Sequence, residues 1–326
     1  MTTSQRPEAH TTARRRTVLL GSAGVSALAL LAACGSDDTD ATTSGATDSA
    51  APAAAAGALS ISAIPDQDPE LLNRLYPDVA ARFAEATGVE VEYKAVTEYP
   101  AVVRAFEIGD VYIAWMGGLT GVQAASRVEG AQAIAQRDID AEFTSVFIAN
   151  TSAGIEPFDG VEGLTALDGK SLTFGSETST SGRLMPQYFM EEGGFDQANL
   201  AGEPGFSGSH DATIEAVAAG SFEVGALNSQ VWRATVEAGE VDLSNVVLLL
   251  ETPTYYDYHW LARPDVDETF GEGTLAAVTE LLLGLDPANE DDAAILELFG
   301  AESFIETDIA NYDQIKKVAQ EQGLLA

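Results

Sequence analysis

Residues 175–182 read Gly175-Ser176-Glu177-Thr178-Ser179-Thr180-Ser181-Gly182, with hydroxyl side chains in succession from Thr178 to Ser181. The surrounding pattern predicts a strand before them (Ser171–Phe174) and a helix after them (Gly182–Met190). A helix start offers N–H groups without intrahelical partners and roughly half a positive charge. Hydroxyl groups can rotate toward an anion, so amides and hydroxyls together could hold a small oxyanion with few cations. Serine and threonine also dominate ordinary helix caps, and spacing alone leaves both readings open. Arg183 follows Gly182 where a nucleotide-cradling loop would need lysine.

Three other segments invite chemistry. Ser207-Gly208-Ser209-His210-Asp211 contains the residue types of a hydrolase triad, but triad members converge from separate segments rather than from neighbours. His210 could instead donate to an anion, or serve the structure as a satisfied buried histidine. Asp265-Val266-Asp267 starts like a calcium loop, yet residue 276, where the bidentate glutamate belongs, is alanine. Thr254-Tyr255-Tyr256-Asp257-Tyr258-His259-Trp260 surrounds one carboxylate with aromatic rings, a composition that suits a small-ligand cleft. Burial of alternate residues on a strand explains much of that run equally well, so Tyr256 and Asp257 are its candidate cleft residues.

The elements that must position these residues alternate strand and helix from Leu59 onward. Leu59–Ile64 is a short apolar run, Glu70–Thr87 has helical spacing, Val89–Tyr93 alternates, Tyr99–Ile108 is helical, and Val111–Trp115 reads as a buried strand. The rhythm restarts after Asn150 with Asp211–Ala219 (helix), Glu223–Leu227, Val246–Leu250 and His259–Ala262 (strands), then Leu275–Gly284 and Asp292–Leu298 (helices). Such alternation predicts an α/β fold with mostly parallel sheets. Two similar halves suggest two lobes: 59–148 with 255–326, and 149–254. The crossings are expected at Ser145–Asn150 and near Val247–Thr254.

Composition narrows the function classes. The 326-residue chain carries 51 acidic and 16 basic residues, a formal net charge of −35, so a nucleic-acid partner is excluded. It has 1 cysteine and 3 histidines, too few for a disulfide or a thiolate metal site. Arg14-Arg15-Arg16 precedes an apolar run from Val18 to Ala33, too short to span a bilayer and ending in Leu31-Ala32-Ala33-Cys34. This predicts a lipoprotein signal over 1–33 with lipidation at Cys34; the arginines suit either the twin-arginine or the general export route. Residues 34–58, lacking aromatic and branched aliphatic residues after Cys34, are expected to be a flexible tether.

Eight blocks carry a resemblance: 63–77 (AIPDQDPELLNRLYP), 91–106 (VEYKAVTEYPAVVRAF), 114–124 (AWMGGLTGVQA), 133–140 (AIAQRDID), 175–189 (GSETSTSGRLMPQYF), 202–211 (GEPGFSGSHD), 222–232 (FEVGALNSQVW) and 252–260 (TPTYYDYHW). With these the chain resembles the phosphonate/phosphite-type binding proteins of ABC importers, most of all the branch named for selenate transport. The resemblance implies a type II, Venus-flytrap periplasmic-binding fold, with a hinge and a ligand cleft between two α/β lobes. It implies that Ser179, Thr180 and Ser181 hold ligand oxygens, with Tyr99 and His210 in the same cleft. Aminophosphonate-binding relatives add two acidic residues for the amine; one corresponds to Asp257, the other to Gln230, which is not acidic.

The expected function is capture of a small oxyanion (selenate or a related selenium oxyanion, phosphite or a phosphonate) by closure of the lobes, with Tyr99 and Trp115 recruited onto the bound anion. The expected partners are that anion, the permease of an ABC importer, and the outer face of the cytoplasmic membrane through the lipid at Cys34. The protein is expected to be a monomer, with no cofactor, no metal and no catalytic residue. A sensory binding protein without a transporter, or an extracellular enzyme on the same architecture, are the competing classes.

Overall fold

The computed structural model describes residues 57–325. The expected signal at 1–33, the lipidation point Cys34 and the tether up to residue 56 lie outside the described residues. The strands are β1 (Leu59–Ala63), β2 (Val91–Tyr93), β3 (Ile113–Met116), β4 (Gln132–Arg137), β5 (Ser145–Asn150), β6 (Leu172–Phe174), β7 (Gly205–Phe206), β8 (Val224–Asn228), β9 (Val246–Glu251), β10 (His259–Ala262) and β11 (Phe304–Ile305). The helices are α1 (Pro69–Thr87), α2 (Tyr99–Ile108), α3 (Gly118–Arg127), α4 (Met185–Glu192), α5 (His210–Ala218), α6 (Ser229–Glu237), α7 (Val266–Phe270), α8 (Thr274–Leu283), α9 (Glu290–Phe299) and α10 (Asp313–Glu321).

Two sheets organise these elements. One has the order β11-β4-β10-β3-β1-β2, the other β7-β6-β8-β5-β9. β1 runs parallel to β2 and β3, and β6 runs parallel to β7 and β8. The strands that return from the opposite lobe, β10 and β5, pair antiparallel with their neighbours. Each parallel strand ends at its carboxyl edge in a loop that starts a helix, which gathers helix N-termini on the facing edges of the two sheets. Local chemistry fixes those starts. Asp68 accepts from the amides of Glu70 and Leu71 at 2.8 and 3.1 Å, Pro69 occupies the first turn of α1, and Gly88 ends the helix at φ 72°. The buried face of α1, Leu72, Tyr76, Val79 and Phe83, follows the spacing seen in the sequence.

The chain passes between the sheets at residues 138–144 and 252–258. The lobe boundary expected at 148/149 therefore falls inside β5, which pairs from Ser145 to Asn150 with β8 and β9. A strand cannot leave its sheet halfway without orphaning buried ladder groups, and all of β5 belongs to the second sheet. The return expected near Val247–Thr254 begins only after β9, at Thr252.

Candidate functional site

Two helix starts face each other between the sheets. On one side is α3, whose Gly118 N–H donates to Oδ1 of Asp257 and whose Leu119 N–H donates to Oγ1 of Thr180, both at 2.9 Å. On the other side, α4 is preceded by a wide turn over Thr180–Leu184, capped by Ser179, whose Oγ accepts from Gly182 N–H at 2.9 Å. Leu184 N–H reaches back five residues to the carbonyl of Ser179 at 3.0 Å, the π-type geometry that recurs at functional sites. The Tyr99 hydroxyl, at the start of α2, lies beside Ser179. Three side-chain atoms here are buried without a hydrogen bond of good geometry: Tyr99 Oη beside Ser179, Ser181 Oγ beside Tyr255, and Asp257 Oδ2 beside Thr180. Unpaired buried polar atoms cost about 1–3 kcal/mol each, and a polar ligand within their reach would offset that cost.

His210 joins the cluster from the start of α5. Its backbone N–H donates across the sheets to the Asp66 carbonyl at 3.0 Å. Its Nε2 lies 3.2 Å from the Tyr258 hydroxyl, and its Nδ1 accepts from Asn228 N–H at 3.4 Å. Burial pushes its pKa down to about 3, so the ring is neutral. Gly182 must lack a side chain here, since a Cβ would lie 2.9 Å from Ser179 Oγ and 3.2 Å from His210 Cε1. Trp115 stacks on Tyr258 with centroids 5.6 Å apart, and the Arg137 guanidinium lies 4.7 Å from the Tyr258 ring centroid and 5.4 Å from that of Trp115.

Burial is the main influence on both carboxyl groups of the cluster. It pushes Asp257 up to about 7 against the opposing hydrogen bond from Gly118, with the Asp140 carboxylate adding to the rise. It pushes Asp66 up to about 6, while the hydrogen bond to Tyr258 and the charge of Arg137 pull the other way. Near neutrality Asp257 is divided between a form that only accepts hydrogen bonds and one that can also donate.

The structure thus brings together Tyr99, Ser179, Thr180, Ser181, His210 and Asp257, whereas Trp115, expected on the anion, packs behind Tyr258 among the rings of Trp260, Phe299 and Phe304. It places two other candidates elsewhere. Tyr256 is half-buried and meets Tyr312 edge-on at 5.8 Å. Gln230 turns its carboxamide toward Arg137 and the carbonyls of Phe299 and Gly300, so the position corresponding to the second amine-binding acid engages protein groups. Sequence reasoning missed Asp66, Tyr258, Gly118 and Leu119. The proline-flanked Asp66-Gln67-Asp68 after β1 was the available signal for the first. Among the described residues no group of three His, Cys, Asp or Glu is arranged to hold a metal, and no helix is long and apolar enough to cross a membrane.

Comparison with known proteins places this geometry among relatives. Residues 61–312 match the family model described as "ABC transporter, phosphonate, periplasmic substrate-binding protein". The chain is 40% identical over 263 residues, 80% of its length and 89% of the relative's, to the Prochlorococcus marinus (strain MIT 9301) protein named "Probable ABC transporter phosphite binding protein PhnD1". It superposes with a TM-score of 0.80 and 39% identity on the structure of PhnD1 from that organism in complex with methylphosphonate, covering 82% of this chain and 98% of that one. A binding component of an ABC phosphonate transporter from Pseudomonas aeruginosa, 18% identical, shares the fold with a TM-score of 0.68 over 80% of this chain and 85% of its own.

Proposed function

The chain belongs to the phosphonate-type periplasmic substrate-binding family of ABC transporters, and we propose that it captures a small tetrahedral oxyanion between its two lobes and delivers it to a membrane permease. The observation that carries this reading is the trio of buried groups without a hydrogen bond of good geometry, Tyr99 Oη, Ser181 Oγ and Asp257 Oδ2, between two opposed helix starts. Hydroxyl groups set at helix starts, with the helix dipoles behind them, stabilise an anion without a direct cation contact. Capture, rather than catalysis, is the use that this donor set suits.

The favoured ligand class is phosphite or a short alkyl phosphonate. Asp257, poised near 7, can donate to an anion's oxygen when protonated and accept from a singly protonated anion when ionised. Selenate, which holds no proton at neutral pH, would be served by the first state alone. The relative named for phosphite and the solved relative holding methylphosphonate support the same class. In this reading the precursor is exported, cleaved before Cys34 and held by a lipid on the outer face of the cytoplasmic membrane.

Isothermal titration calorimetry against phosphite, methylphosphonate, aminoethylphosphonate, phosphate, sulfate, selenate and selenite tests the proposal. Micromolar or tighter binding of phosphite or methylphosphonate is expected, corresponding to about −8 kcal/mol. Selenate bound most tightly would overturn the ligand class and leave capture standing; no binding by any anion would overturn capture.

A further inference from the structure

Arg137 ends β4 where the chain leaves the first sheet, and Gln230 lies in the first turn of α6, on the second sheet. The Arg137 guanidinium is held in its own lobe by Asp140, with Nε and Nη2 each 2.7 Å from a carboxylate oxygen, and by the Phe299 carbonyl at 2.8 Å. Gln230 completes this arrangement from the other lobe. Its Oε1 accepts from Arg137 Nη1, and its Nε2 donates to the carbonyls of Phe299 and Gly300 at 2.9 and 3.1 Å. The side chain's location is fixed from below, because Asn228 caps α6 through the Gln230 and Val231 amides at 2.7 and 3.1 Å. Room for it is made by Gly300, where a Cβ would come within 1.6 Å of Gln230 Nε2.

Arg137 in turn lies against the rings of Trp115 and Tyr258, and Tyr258 holds His210. We propose that Gln230 is a positioning residue that clasps the closed lobes through Arg137, setting how long the closed form lasts and so the affinity for the captured anion, without touching the anion. The inference rests on the capture reading above. On this proposal opening draws α6 away from β4 and α9, and the three Gln230 bonds belong to the closed form. A bond present only there shifts the equilibrium toward closure, and the open state's share sets the apparent affinity.

The test compares the full chain with Gln230→Ala and with Gln230→Met, which keeps the bulk of the side chain and loses its hydrogen bonds. Methylphosphonate affinity is read by calorimetry, and association and dissociation rates by stopped-flow tryptophan fluorescence. Both variants should bind about tenfold more weakly. The loss should appear as faster dissociation with association unchanged. Unchanged dissociation in both variants, or wild-type affinity in Gln230→Met, would overturn the clasp. Should the wild-type chain bind no anion, the capture reading fails, and amide hydrogen exchange at residues 138–144 in the ligand-free chain then judges the clasp. Faster exchange in Gln230→Ala supports it, and equal exchange overturns it.

Discussion

The second amide of α3, on Leu119, donates to the hydroxyl of Thr180 at 2.9 Å, joining residues 61 positions apart from helix starts on opposite sheets. Beside it, Ser179 caps its own turn and Asp257 caps α3. The hydroxyls of the Ser179-Thr180-Ser181 segment are therefore unequal. One holds the turn, one bridges the lobes, and the third makes no hydrogen bond of good geometry.

That inequality separates two substitutions that look alike in sequence. Ser181→Ala removes a donor with no well-formed internal bond, so the ligand-free melting temperature should stay near wild type. Phosphite affinity should fall about 10- to 100-fold, the scale of one hydrogen bond to a charged group. Ser179→Ala removes the cap to Gly182 and should cost about 1 kcal/mol of stability, roughly 2–4 °C. Calorimetry and thermal melts on both variants check this. A Ser181→Ala protein with wild-type affinity would place the anion elsewhere.

Asp257 gives a pH signature. A carboxyl group raised from 3.8 to about 7 on folding contributes stability that is fully present below pH 4 and is lost as the pH rises through 7. Asp257→Asn keeps an oxygen for the Gly118 amide and cannot ionise. It should raise the ligand-free melting temperature at pH 8 by roughly 8 °C or more, with the difference vanishing toward pH 4. His210 and His259, lowered to about 3 and about 4, slope the opposite way, losing stability as the pH falls below 6.5. The comparison of variant with wild type, not the raw curve, is therefore the measurement. A difference independent of pH would mean that Asp257 stays ionised throughout.

Gly121 should tolerate no side chain while His259 is present. A Cβ there would lie 2.2 Å from two atoms of the buried imidazole, and the ring is backed by Tyr312 at 4.1 Å. Gly121→Ala should destabilise the chain by about 1–3 kcal/mol and weaken anion binding, because the start of α3 must shift. Adding His259→Ala should recover part of both losses in a double-mutant cycle. Additive losses would show that the two residues do not meet.

What could be seen in the sequence were the elements with local punctuation. α2 runs from Tyr99 to Ile108 as its spacing predicts, because Pro100 lies in its first turn and Gly109 ends it at φ 80°. The helix at α3 was not seen. Its opening, Gly117-Gly118-Leu119-Thr120-Gly121, reads as a loop, and its first amides are satisfied by Asp257, 139 residues away, and by Thr180. Glycine there serves the approach of His259 rather than a turn. The lobe crossing was misplaced for a related reason. β5 carries no turn residue to mark where the first lobe stops, and only its pairing with β8 and β9 assigns it. The orientation of Gln230 likewise depends on Arg137, 93 residues earlier, which no local pattern records.

Long-range charge makes the last prediction. The chain's net charge of −35 opposes an approaching anion, while the groups that would hold it are short-range dipoles at helix starts. In the cluster the one buried guanidinium is already matched by Asp140. Raising ionic strength from about 10 to 150 mM shortens the screening length from about 30 to 8 Å, which suppresses the distant repulsion and leaves buried contacts nearly untouched. Phosphite association should therefore accelerate about two- to fivefold across that range, with dissociation nearly constant. Stopped-flow fluorescence separates the two rates. Association that slows steeply with salt would require a basic path into the cleft, and the amide-and-hydroxyl account of anion capture would then give way to one led by cations.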